Sequence, residues 1–102
     1  ERVVEWVVEL LLRHGAEINL QRSDGGTALI LAANKGQARV VELLIRHGAE
    51  INLQSSDGGT ALTYAARGGH ERVVDLLLRH GAEINLQSSV GGTALMIAAL
   101  AH

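Results

Sequence analysis

Cysteine, proline and phenylalanine are absent from this 102-residue chain, and Trp6 and Tyr64 are its only aromatic side chains. Without cysteine there is no disulfide, no thiol nucleophile and no cysteine-ligated zinc. The lack is compatible with a reducing compartment, so an intracellular site, cytoplasmic or nuclear, is expected. Two aromatics supply no platform for stacking bases, and a formal net charge of −2 leaves no basic face able to neutralise a phosphate backbone. Nucleic acid is therefore not an expected partner. The longest apolar-rich stretch, Val3 to Leu12, is interrupted by Glu5 and Glu9, so no membrane insertion is expected, and no signal-peptide pattern is present. No Met opens the chain, which reads as an excised or processed piece. What remains is 47% hydrophobic and 20% charged, a composition that suits a folded core of Leu, Val, Ile and Ala.

What the chain has in abundance is itself. His-Gly-Ala occurs at His14-Gly15-Ala16, His47-Gly48-Ala49 and His80-Gly81-Ala82, a period of 33 residues. Residues Gly15 to Ala33 and Gly48 to Ala66 differ only at Arg22/Ser55, Ile30/Thr63 and Leu31/Tyr64. A fixed period of this length means a stack of small units rather than one globule with a dedicated cleft.

The unit over residues 55–87 is legible residue by residue. Ser55-Ser56-Asp57-Gly58-Gly59 is turn chemistry, with glycine for positive φ and Ser or Asp to bond nearby amides. Thr60 stands where an N-cap is wanted, before Ala61-Leu62-Thr63-Tyr64-Ala65-Ala66. The alanines make a thin helix that another can approach closely, and Gly68-Gly69 stops it. A second helix is predicted from about Glu71 to His80, with an apolar stripe of Val73, Val74, Leu76, Leu77 and Leu78. Asp75 and Arg79, like Glu9/Arg13 and Glu42/Arg46, lie four apart in the favourable acid-first order. Gly81 is the expected residue just past the helix end. The alternation in Ala82-Glu83-Ile84-Asn85-Leu86-Gln87 predicts an extended arm of a hairpin-like finger.

These residues resemble the ankyrin-repeat family over essentially the whole chain. The family's T-P-L-H-x-A-A run appears as Thr27-Ala28-Leu29-Ile30-Leu31-Ala32-Ala33, and again from Thr60 and from Thr93. Its G-H, V-V-x-L-L-L and G-A-D-V-N elements appear as Gly69-His70, Val73 to Leu78, and Gly81 to Asn85. The resemblance implies an all-α repeat solenoid of stacked antiparallel helix pairs, with projecting β-hairpin-like loops and a concave surface of hairpins and first helices. Two departures are visible. Ala28, Ala61 and Ala94 replace the proline, which is helpful rather than essential at a first helical turn. Ile30, Thr63 and Met96 replace the histidine, so each threonine is expected to cap without it.

Against that unit the expected divisions are 1–21 (a partial repeat, second helix only), 22–54 and 55–87 (complete), and 88–102 (first helix only). The N-terminal helix, Val3 to His14, reads as about one turn longer than its counterparts. Read end to end, Ala101-His102 followed by Glu1-Arg2-Val3-Val4 mimics Gly69-His70-Glu71-Arg72-Val73-Val74. Two explanations stand: flanking repeats lie beyond these ends, or one molecule's last helix packs on the next molecule's first helix. Val3, Val4, Trp6 and Leu100 are the residues expected to carry such self-association, because terminal units need polar outer faces and these are apolar.

No unit gathers a catalytic constellation, and no cofactor or metal site is expected. His14, His47 and His80 recur at helix ends, where a positive side chain suits the dipole. His70 and His102 match the family's Gly-His position. The paired serines read as turn formers, with no activating base beside them. Gly25-Gly26, Gly58-Gly59 and Gly91-Gly92 precede helices but lack the lysine and spacing of a phosphate loop. Asn19, Asn52 and Asn85 fall at the family's hairpin asparagine, which implies a turn-shaping bond and, through the resemblance, a candidate for hydroxylation.

Function is therefore expected where the copies disagree. Asp24, Asp57 and Val90 form one stripe and Asn34, Arg67 and Leu100 another; Lys35 and Met96 complete the set expected to face a concave groove. The reading is a non-catalytic protein-interaction module with a protein partner. The alternative is a structural scaffold or self-assembling element, and near-identical copies also fit an engineered repeat binder.

Overall fold

A computed structural model describes residues 2–101, with side chains from Val4 to Ala101. Among the described residues six helices follow in order: α1 (Arg2–Arg13), α2 (Ala28–Lys35), α3 (Ala38–Arg46), α4 (Ala61–Arg67), α5 (Glu71–Arg79) and α6 (Ala94–Leu100). Helices α2, α4 and α6 pack side by side in one layer, α1, α3 and α5 in the other, and α2/α3 and α4/α5 pair across the layers. The chain is thus an all-α repeat stack, elongated at 38 × 25 × 21 Å.

Each helix starts and stops for a local reason. The side chains of Thr27, Thr60 and Thr93 accept the amides of Ile30, Thr63 and Met96 at 3.1, 3.4 and 3.4 Å, satisfying donors that the first turn leaves open. In the middle unit Thr63 also reaches back to the Thr60 amide at 3.1 Å, closing a reciprocal cap. The His-Gly-Ala repeat is a helix-stop device. The Gly48 amide bonds the Ile45 carbonyl at 3.0 Å and the Ala49 amide bonds Leu44 at 3.0 Å, around a glycine at φ 93°. That is the left-handed stop in which two otherwise orphaned carbonyls are satisfied at once. Ala16 to Leu11 and Ala82 to Leu77 repeat it.

The core follows from alanine and branched aliphatics. Ala33, Ala61 and Ala65 are fully buried and let the first-helix layer close up, while Leu29, Val41, Val73 and Leu77 fill the space between layers. Each such aliphatic contributes about 1.5–3 kcal/mol by leaving water.

One expectation changes. Residues 82–87 form no strand; Ile84-Asn85 is a turn, and the Leu86 amide bonds the Glu83 carbonyl at 3.4 Å. Neighbouring fingers share one backbone bond each, Ser56 to Asp24 at 2.9 Å and Ser89 to Asp57 at 2.8 Å, too few for a ladder. Helix α1 spans 12 residues against nine for α3 and α5, so it is three residues longer. Among the described residues no helix is long and apolar enough to cross a membrane.

Candidate functional site

The finger tips and the first-helix layer enclose two adjoining hollows on one side of the stack. The larger, about 470 Å³, lies between units three and four, with Asp57, Tyr64, Arg67, Val90, Ile97 and Leu100 on its walls. The smaller, about 250 Å³, lies one unit earlier and is lined by Arg22, Asp24, Leu31, Asn34, Ser55 and Asp57. Asp57 and Tyr64 belong to both, so the two form one trough.

The finger aspartates are held in two different ways. Asp24 accepts the Gly26 amide at 2.9 Å and pairs with the Arg22 guanidinium. That pairing, then the Gly26 amide, depresses its carboxyl to about 2. Asp57 accepts the Ser55 hydroxyl, the Gly59 amide at 3.0 Å, and the Tyr64 hydroxyl at 3.0 and 3.1 Å. These bonds, Ser55 foremost, hold it below the usual carboxylate range. Ser55 and Tyr64 also touch each other at 2.9 Å. Arg22/Ser55 and Leu31/Tyr64 are thus one coupled exchange: where arginine leaves, serine and tyrosine together replace its donors. In the third finger the Val90 side chain can accept nothing, and the Gly92 amide turns instead to the Ser88 hydroxyl at 3.2 Å.

Arg67 stands over the Tyr64 ring, 5.0 Å from its centre. The trough therefore runs from a charged end at Arg22 and Asp24, through this aromatic joint, to an exposed apolar end at Val90 and Leu100. Among the described residues neither hollow is lined by histidine. The arrangement is fitted to recognise a surface by shape, charge and apolar contact.

Of the residues expected at the groove, Asp24, Asn34, Asp57, Arg67, Val90 and Leu100 line this trough. Lys35 does not: it borders a separate hollow beside α1, with Val4, Val8 and Leu31. Met96 does not either. It occupies the place of Ile30 and Thr63, which line the two hollows from between units, but at Met96 no described unit follows to form a third hollow, and it is exposed. Tyr64 and Ile97 were not expected there. The Leu31/Tyr64 exchange, one of only three differences between Gly15 to Ala33 and Gly48 to Ala66, was the available signal.

Several of the remaining candidates join one unit to the next. His70 lies in a slot made by two glycines, where a Cβ on Gly36 or Gly68 would come within 2.5 Å of its ring. Its Nε2 donates to the Asn34 carbonyl at 3.1 Å, tying α5 to the end of α2. His47 meets Glu9 at 3.4 Å, and His102 lies outside the described residues. Asn19 accepts the Glu50 amide at 2.8 Å; Asn52 accepts Glu83 at 2.9 Å and donates to Gly81 at 3.2 Å. These asparagines brace one unit against the next. Among the described residues no three His, Asp or Glu groups converge as a metal site would need.

A comparison with curated proteins found no match. The family model described as ankyrin repeats, three copies, matches residues 4–88 and 48–102. With paired helices, threonine caps, glycine stops and projecting fingers recurring on the period that this model spans, the chain belongs to the ankyrin-repeat family, whose repeats generally mediate protein–protein interaction.

Proposed function

We propose that this chain is a non-catalytic interaction module that holds a protein partner in the trough between its fingers and its first helices. The observation that carries the reading is the aromatic joint. Tyr64 is bonded to the Asp57 finger below and stacked under Arg67 of α4, so finger and helix are locked in one relative position. A preorganised surface of this kind loses little ordering entropy on binding. Asp57 and Arg67 supply orientation, and Val90, Ile97 and Leu100 supply an apolar anchor. The absence of cysteine fits an intracellular partner, cytoplasmic or nuclear. The scaffold reading rests on different residues, those of the two end faces.

The test is calorimetric titration of a partner isolated on the wild-type chain, against a triple variant Asp57→Ala, Arg67→Ala, Leu100→Ala and an outer-surface control, Arg39→Ala with Arg72→Ala. The groove reading expects roughly a 30-fold or greater loss for the triple variant and none for the control. Unchanged affinity in the triple variant refutes it.

A further inference from the structure

Among the described residues the trough holds four ionised side chains, Arg22, Asp24, Asp57 and Arg67, and three of them are already matched. Arg22 and Asp24 pair with each other. Asp57 takes the Ser55 hydroxyl, the Gly59 amide and the Tyr64 hydroxyl, all within its own unit. Arg67 is the exception. Among the described residues it forms no hydrogen bond or ion pair, and it stands over the face of the Tyr64 ring at 5.0 Å from the centre. The ring holds the guanidinium but offers no lone pair, so five N–H donors are left to be matched. A carboxylate is the group whose two oxygens fit that planar fork.

The copies show how this arginine came to stand alone. Asp24, Asp57 and Val90 are one place in successive fingers; Asn34, Arg67 and Leu100 are one place at successive first-helix ends. The smaller hollow has an aspartate on each of its two fingers. The larger has Asp57 on one finger and Val90 on the other, and on its helix wall arginine replaces asparagine. The balance moves from two acids against one base to one against one, and the one acid is bonded within its own unit.

The rest of the larger hollow is apolar at its far end. Val90 is 91% exposed and Leu100 86%. That exposure does not depend on where the stack stops. Asp57 and Arg67 hold the same two places with helices α2 and α6 packed on either side of α4, and they are exposed too. A cation with open donors beside an open aliphatic wall is complementary to an acid beside an aliphatic side chain. The hollow of about 470 Å³ runs on into that of about 250 Å³ through Asp57 and Tyr64. This elongated shape suits an extended chain, on which side chains two residues apart point the same way, ~7 Å from each other.

We infer that the partner docks through an extended segment with Asp or Glu within two residues of Leu, Ile, Val or Met. Its carboxylate takes the Arg67 fork, and its aliphatic side chain lies against Val90, Ile97 and Leu100. The inference rests on the groove function proposed above and specifies the partner's chemistry. Asp57 acts as a brace: it fixes Tyr64, and Tyr64 fixes Arg67. Its negative charge opposes a doubly charged phosphate at Arg67 more than a singly charged carboxylate. Leu100, expected also to carry self-association, is used here in the groove. Of the others in that set, Val4 borders the hollow beside α1, Trp6 lies on the outer surface with Arg39 and Arg72, and the side chain of Val3 lies outside the described residues.

Selection of a random-peptide display library on the wild-type chain, on Arg67→Gln and on the triple variant named above tests the inference. The wild type is expected to enrich peptides with an acid within two residues of an aliphatic side chain, and Arg67→Gln to enrich the aliphatic without the acid. One enriched peptide is then titrated by fluorescence anisotropy, with its acid and with the corresponding amide. The amide form should bind roughly tenfold more weakly to the wild type and equally well to Arg67→Gln. That coupling identifies a direct contact, because a loosened Tyr64 would weaken both peptides alike. Enrichment of basic residues, which would put the partner's charge on Asp57, an acid preference that survives Arg67→Gln, or no enrichment on the wild type would overturn the inference. Peptides that bind the triple variant as well as the wild type would overturn the groove function with it. Peptides lost on the triple variant yet indifferent to the acid would overturn the acid assignment alone.

Discussion

Leu62 and Leu95 hold the same place in successive units, and one is buried while the other is almost fully exposed. Nothing in the side chain accounts for that contrast; position in the stack does. Inside, every unit receives helix faces, finger bonds and asparagine braces from its neighbour. At the ends the same residues are offered to solvent. A repeat therefore does not own its stability: nearest-neighbour contacts supply much of it, which is why near-identical sequence yields unequal environments.

The sharpest way to break this comparison is in the core. Leu77→Ala leaves a cavity where the side chain is fully buried and should cost about 2–5 kcal/mol by denaturant unfolding. Leu95→Ala, measured on dilute protein, should change stability by less than about 0.5 kcal/mol. Equal costs would mean that α6 is covered in the monomer. Glycines give the next contrast. Gly58→Ala meets Ser89 backbone nitrogen at 2.6 Å as well as positive φ, whereas Gly91→Ala meets only the φ of 85°. The Gly91 change should cost about 1–2 kcal/mol, and the Gly58 change clearly more.

Much of this was legible in the sequence. The period fixes the helix pairs because caps and stops are local: Thr60 and the Gly48 turn act within a few residues of themselves. The groove positions were partly legible because copies that share a core differ more freely where they face solvent, as Asn34, Arg67 and Leu100 do, although Ile30/Thr63 differ while buried. Met96 lines neither hollow although its equivalents Ile30 and Thr63 do, because no described unit follows it to complete a third. Tyr64 was passed over because its role depends on a three-dimensional exchange with Ser55 that no linear pattern displays.

Smaller effects sharpen the picture. Asn52→Ala removes two bonds to the following unit and should cost about 1–2 kcal/mol in thermal or chemical unfolding, against nearly nothing for Asn85→Ala in dilute protein. Smallest is the titration of the fingers. Because both aspartates are depressed in the folded state, their contribution is present above the unfolded carboxylate value near 4. It is lost as pH falls below that, for Asp24 through about 2. Tyr64→Phe removes a donor to Asp57 and should move its midpoint, followed by carbonyl NMR, upward while leaving Asp24 unmoved.

Residue-resolved amide hydrogen exchange on dilute protein puts the central contrast to its most direct test. The Ser56 and Ser89 amides, bonded to the neighbouring finger, should be protected, and the Ser23 amide, the same place in the first finger, should exchange faster. Ser56 and Ser89 exchanging as fast as Ser23 would contradict it.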